Sequence, residues 1–162
     1  SMNRCLMLLF LLLSIFECID AQTTYLQGKV IEFDSSEEVA FCRIMVNDSV
    51  EIETDSNGNF NFSTSGWPIQ KLMFLSLGFH RLELRNLTHQ NTLKLDQVAL
   101  VGSKTDAYGF GVILKANGRR DRKAENEEIR LGRIKVFEEA SKAYVMMNDA
   151  KINAEGCLII LE

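Results

Sequence analysis

Proline occurs once, tryptophan once and histidine twice in the 162 residues, and each scarcity closes off some chemistry. A zinc peptidase needs at least two histidines and a carboxylate at fixed close spacing. His80 falls on an expected strand and His89 in a polar link, so that spacing is missing. Cysteine is almost as sparse, and none of Cys5, Cys18, Cys42 and Cys157 stands at metal-ligand or catalytic spacing to a histidine or carboxylate. Positive charge is in deficit, with 18 Lys and Arg against 22 Asp and Glu and a formal charge of −4. A nucleic-acid binder needs a net basic footprint, which this chain lacks. No catalytic, cofactor-binding or metal-ligating residue is assigned, and the chain reads as a protein that is not an enzyme and carries no cofactor.

Long apolar runs are missing except at the front. Leu6 to Phe16 is eleven residues, short of the roughly 20 that span a bilayer. With Arg4 before it and a more polar segment ending at Asp20-Ala21, residues 1–21 have the layout of a secretory signal peptide cut after Ala21. Ser1 ahead of Met2 reads as a cloning remnant. Cys18 offers lipidation as an alternative, but lipoprotein cleavage wants a small residue before the cysteine and Glu17 stands there. Cleavage removes one cation, Arg4, and two anions, Glu17 and Asp20, so the formal charge of −4 becomes −3. The remaining chain is expected to be exported. Export makes a Cys42–Cys157 disulfide chemically feasible, and two separate buried thiols are the other reading.

What the sequence has in quantity is short alternating runs broken by turn residues, the pattern of a β-sandwich. Tyr25 to Glu32 places Leu26, Gly28 and Val30 on one parity. Val39 to Val46 gives a second strand through Phe41, Ile44 and Val46, and Asn47-Asp48 turns the chain. Ser49 to Thr54 alternates Val50 and Ile52 against Glu51 and Glu53 and enters a β-hairpin corner, Asp55-Ser56-Asn57-Gly58. Phe60 and Phe62 then alternate with Asn59 and Asn61 in a half-buried strand. Lys71 to Leu77 is apolar on both parities and predicts the central strand. Phe79 to Arg85 points Leu82 and Leu84 inward and Arg81, Glu83 and Arg85 outward. Thr92 to Val101 changes parity near Asp96-Gln97, which predicts a bend or a bulge. The expected fold is mainly β: a seven-stranded sandwich over residues 22–100, followed by a small α/β segment over 101–162.

Four segments in order carry a resemblance: Gln27-Gly28-Lys29-Val30, Val39-Ala40-Phe41-Cys42-Arg43-Ile44, Glu53-Thr54-Asp55-Ser56-Asn57-Gly58-Asn59-Phe60 and Phe74-Leu75-Ser76-Leu77-Gly78-Phe79. Together they resemble the carboxypeptidase regulatory-like domain, a transthyretin-like sandwich common in envelope proteins of the Bacteroidetes. In that family the second strand usually opens Leu-Pro-Gly-Ala, and no proline or glycine stands there in this chain. Leu95-Asp96-Gln97-Val98-Ala99-Leu100-Val101-Gly102 is similar to the segment that links such a domain to the plug of TonB-dependent outer-membrane transporters. Residues 129–161 are loosely similar to the end of a plug, with a strand through Ile129, Ile134 and Val136, a helix over Glu138 to Met147, and a last strand after Gly156. No transmembrane barrel follows in this sequence, so the chain is not itself read as a transporter.

Read from its residues alone, the tail divides similarly. Tyr108 to Lys115 is a strand candidate, Asn117 to Glu128 a charged loop or loose helix start, and Val136, Ala140, Ala143, Tyr144 and Met147 fall at helical spacing. Asp55-x-Asn57-Gly58 has the opening of a calcium loop, but Gly66 stands where a distal carboxylate is required. The basic cluster Gly118 to Lys123 is followed at once by Glu125, Glu127 and Glu128, so a hydrated loop is expected there. Gly109-x-Gly111 lacks the rest of a nucleotide fingerprint. Asn47, Asn61 and Asn86 begin glycosylation patterns that matter only in a eukaryote.

The function expected is that of a non-catalytic exported module of the bacterial envelope, accessory to TonB-dependent uptake or envelope assembly through contacts with a protein partner. Peripheral membrane association fits the same location, and nucleic acid is not expected. The alternative is a secreted adhesin-like or carbohydrate-binding domain using Trp67, Tyr25 and Tyr108 as stacking platforms.

Overall fold

The computed structural model describes residues 23–87, 91–103 and 115–161. Ten strands and one helix follow in the order β1 (Tyr25–Glu32), β2 (Arg43–Val46), β3 (Val50–Glu53), β4 (Asn59–Ser63), β5 (Lys71–Leu75), β6 (Leu82–Arg85), β7 (Thr92–Leu100), α1 (Arg122–Ala140), β8 (Tyr144–Met147), β9 (Ala150–Asn153) and β10 (Leu158–Ile160). They form two five-stranded sheets, β4-β1-β7-β8-β9 and β10-β6-β5-β2-β3. Both are mixed, because β1 runs parallel to β7 and β10 parallel to β6. Alternate residues of each strand enter the core between them: Leu26 and Val30, Ile44 and Val46, Leu72 and Phe74, Leu82 and Leu84, Leu93 and Leu95.

The parity change in β7 is a bulge. Gly28 faces Leu95 but Val30 faces Val98, and on the other side Leu95 faces Met147 while Gln97 faces Met146. The extra residue lets Leu93 and Leu95 before it, and Val98 and Leu100 after it, all point into the core. The Asp55 corner is a change of sheet. Its Asp55 Oδ1 accepts the N–H groups of Asn57 at 2.9 Å and Asn59 at 2.8 Å, and Gly58 takes φ +74°. β3 before it and β4 after it lie in different sheets, so the expected hairpin is a crossover between layers. Phe60 then lands in the core, edge-on to Phe74 at 5.8 Å, and Phe62 is half-buried against Trp67.

The sandwich does not close at the seven strands expected: among the described residues it has ten, because the tail adds strands to both layers. β8 and β9 extend the first sheet beyond β7, and β10 extends the second beyond β6. Ala143, Val145, Ala154 and Ile159 belong to the same core cluster as the earlier strands. Inside the tail, helix and strand are exchanged relative to expectation. Residues 129–136, expected as a strand, lie in α1, which Asp121 caps by accepting from the N–H of Ala124 at 3.1 Å. Its buried and half-buried positions Glu125, Ile129, Gly132, Val136 and Ala140 recur at helical spacing. Tyr144 to Met147, expected as helix, is a strand because Asn148 and Asp149 take positive φ of 51° and 64° and return it as a two-residue hairpin.

Candidate functional site

Thr54 builds a clamped turn that puts an aromatic ring on the surface. Its side chain is buried in the turn between Val39 and Cys42, where Oγ1 donates to the Val39 carbonyl at 2.8 Å and accepts from the Cys42 N–H at 2.8 Å. The Thr54 N–H donates to the Cys42 carbonyl at 3.0 Å. Held at both ends, the turn has Ala40 and Phe41 at its tip. Phe41 takes φ +54° with 69% of its surface exposed, so it is not the inward residue of a strand that alternation predicts. A bulky residue in the left-handed region is strained, at a cost on the order of 1 to 3 kcal/mol.

Beside this tip, β5 ends at Leu75 and Gly78 turns the chain at φ +84°. That turn leaves Leu77 wholly exposed, where the expected central strand would have buried it. Phe41 and Leu77 rim an open cleft of about 500 Å³, with Leu75 and Phe79 in its wall. Arg43, Glu53 and Arg81 supply its charge. Arg43 is paired with Glu51 at 3.1 Å, whereas the Arg81 guanidinium has no hydrogen bond or ion pair among the described residues. The arrangement suits an apolar side chain carried next to a carboxylate, because the rim offers contact area and Arg81 offers a bidentate donor.

Of the ionisable groups next to Arg81 in sequence, His80 and Glu83 are tied into structure. His80 precedes β6 rather than lining it, and its Nε2 lies 3.1 Å from Glu139 Oε2 at the end of α1. Glu83, expected in solvent, is only 7% exposed, between Met73 of β5 and Leu158 of β10. Burial alone would raise its carboxyl, but hydrogen bonding from Arg85 and the Lys71 and Arg85 charges outweigh it and hold it below the usual carboxylate range. Cys42 and Cys157 are separate free thiols. Burial pushes Cys42 up to about 12, against a weaker bond to the Leu75 carbonyl. Burial also raises Cys157, with the Arg81 charge opposing.

The other residues singled out by sequence do not converge. The Asp55 carboxylate is spent on its own turn, with Oδ2 accepting from Asn59 Nδ2 at 3.3 Å. Trp67 packs on Phe62 at 6.0 Å and its carbonyl accepts from Thr64 Oγ1 at 2.6 Å, which makes it a seal at the sandwich edge. Tyr25 is 54% exposed on the opposite parity from Leu26, which pairs with Phe62, so its ring faces away from Trp67. Of the basic cluster, Arg120 donates to both oxygens of Glu125 at 2.8 and 2.9 Å and Arg122 begins α1, so the expected loop is a helix entry. Residues 1–21, His89, Tyr108, Gly109 and Gly111 lie outside the described residues. Sequence reasoning missed the cleft. The signal present was an aromatic, Phe41, beside a threonine-led corner two strands later.

No protein-family model matches the chain. No curated protein matches it either. Among solved structures it is similar to a protein described as membrane-associated and of unknown function from Bacteroides fragilis, at 14% identity and a TM-score of 0.39, covering 70% of this chain and 40% of that one. It is also similar to 3-chlorocatechol 1,2-dioxygenase from Rhodococcus opacus 1CP, at 14% identity and a TM-score of 0.33, covering 49% of this chain and 60% of that one. The chain thus spans less than two thirds of either relative.

Proposed function

We propose that the chain is a non-catalytic exported sandwich module of the bacterial envelope that docks a protein partner, an outer-membrane TonB-dependent transporter or its assembly, through the cleft between Phe41 and Leu77. The observation that carries this reading is Phe41 itself. Its ring is 69% exposed and its backbone is held at φ +54° by the Thr54 clamp, so the molecule bears both strain and an exposed aromatic at one point. Strain of this kind persists where the surroundings over-determine it and clusters where binding is done, and exposed aromatic anchors dominate protein interfaces. The family resemblance bears on the same residue. With its usual Leu-Pro-Gly-Ala opening laid on Val39-Ala40-Phe41-Cys42, phenylalanine stands at the glycine, the residue that takes positive φ freely.

This reading makes stability and binding separable. Phe41→Gly relieves the strained backbone while raising the entropy of the unfolded chain, two effects that oppose each other, so the unfolding free energy is expected to stay within about 1 kcal/mol of the parent. Capture of the partner is expected to be lost. The experiment is photocrosslinking from position 77 in the source bacterium, with envelope fractionation of the same cells. A crosslink to an outer-membrane transporter that disappears with Phe41→Gly supports the proposal. A chain retained in the cytoplasm, or a crosslink indifferent to Phe41→Gly, overturns it.

A further inference from the structure

Among the described residues four strands lie at sheet edges, β3, β4, β9 and β10. Charged side chains and short length are the usual devices that stop an edge from pairing with another chain. β3 carries Glu51 and Glu53, β9 carries Lys151, and β10 is only 3 residues long. β4 has no such guard. Asn59-Phe60-Asn61-Phe62-Ser63 holds no ionisable side chain and no proline, and its pairing with β1 runs without a bulge through all 5 residues.

The ladder decides which of its backbone groups are free. Thr64 donates to the Thr24 carbonyl, so Phe62 and Phe60 likewise exchange their bonds with Leu26 and Gly28, and residues 59, 61 and 63 turn theirs outward. Asn59 uses both groups in the corner, its N–H donating to Asp55 Oδ1 and its carbonyl accepting from the Asp55 N–H. The N–H and C=O of Asn61 and Ser63 remain, without a partner among the described residues.

We infer that this edge is a self-association surface, on which β4 pairs antiparallel with β4 of a second copy about a two-fold axis at Phe62. In that register Asn61 faces Ser63 of the second copy and Ser63 faces its Asn61, so every free group on the edge is bonded. A register centred on Asn61 would bond that residue alone, because Asn59 is already committed. At the axis the half-buried Phe62 meets the same residue of the second copy and adds apolar contact. The occupant is a second copy because the strand is its own complement: donors equal acceptors, and self-pairing sets no like charges opposite one another. The same pairing at β3 would bring glutamates together.

Sedimentation velocity of the full chain from micromolar to millimolar concentration tests this, independently of any envelope partner. A reversible monomer–dimer equilibrium is expected. Ser63→Pro removes an outward N–H and leaves the β1 ladder intact, and Asn61→Lys installs the missing guard. Each is expected to raise the dimer dissociation constant roughly tenfold or more with the unfolding midpoint unchanged. Should the proline variant fail to fold, the lysine variant decides alone, since it keeps every backbone group. A chain that stays monomeric to millimolar concentration, or a dimer indifferent to Asn61→Lys, overturns the inference.

Discussion

Gly28 is where one missing atom matters most to the core. It sits in the middle of β1 opposite Phe60, and a Cβ built there would fall 2.6 Å from Cζ of the Phe60 ring and into the Leu95 carbonyl. A glycine inside a strand ordinarily weakens it, so replacement by alanine would normally stabilise. Here the ring that occupies the vacant space is the one that meets Phe74 edge-on, and overpacking wins. Gly28→Ala is expected to cost about 1 to 3 kcal/mol, read as a lower urea midpoint; an unchanged or higher midpoint would show that the ring has room to move. Glu83 makes the corresponding electrostatic case. Lys71 lies 3.4 Å from it and also 2.9 Å from Asp48, and Arg85 donates to it from the same strand. Its folded pKa is depressed, so its stabilisation is whole above the unfolded glutamate value of about 4.3 and is lost as pH falls through the folded value. The stability gap between the parent and Glu83→Gln should therefore be widest near neutrality and close in acid. A gap that is constant with pH would rule out this assignment.

At the scale of the element, what sequence could foresee depended on whether a residue's role was local. The bulge at Asp96, the turn at Asn47-Asp48 and the central place of β5 were all legible, because alternation, positive-φ asparagine and aspartate, and double-sided apolarity are written within a few residues. The Thr54 clamp was not, since it bonds residues 12 and 15 positions away and alone explains why Phe41 leaves the strand pattern. Glu83 was misplaced for a related reason. Its alternation reads as outward, and the outer face there is covered by Met73 and by Leu158, which arrives 75 residues later by crossing from the other sheet. In the tail, Ile129, Ile134 and Val136 were expected to share a strand. The structure places them on α1, where Ile129 and Val136 are half-buried, Ile134 is exposed together with Leu131 and Phe137, and small or polar positions such as Gly132 and Glu125 are buried. The apolar content of this helix is thus split between two faces, and its start is set by the Asp121 cap.

For the whole molecule, the question raised by weaving the tail into both layers is whether residues 23–101 can stand alone. Removing the rest strips β8 and β9 from the first sheet and β10 from the second. β7 loses its partner along Leu95 to Ala99, β6 loses its partner along Glu83 to Arg85, and both become bare edges. The core also loses Val145 and Ile159, each fully buried, along with Ala143 and Ala154. Burying one such large aliphatic side chain is worth roughly 1.5 to 3 kcal/mol. Two of them, with the apolar surface their loss uncovers on the facing strands, approach the roughly 5 to 15 kcal/mol by which a whole domain is stable. The fragment is accordingly expected to lack a cooperative urea transition at 25 °C and to aggregate through β6 and β7, where the complete chain unfolds in one step. Far-UV circular dichroism across a urea series distinguishes the two. A sharp transition in the fragment would mean that the first seven strands carry their own stability and that the last three only decorate them.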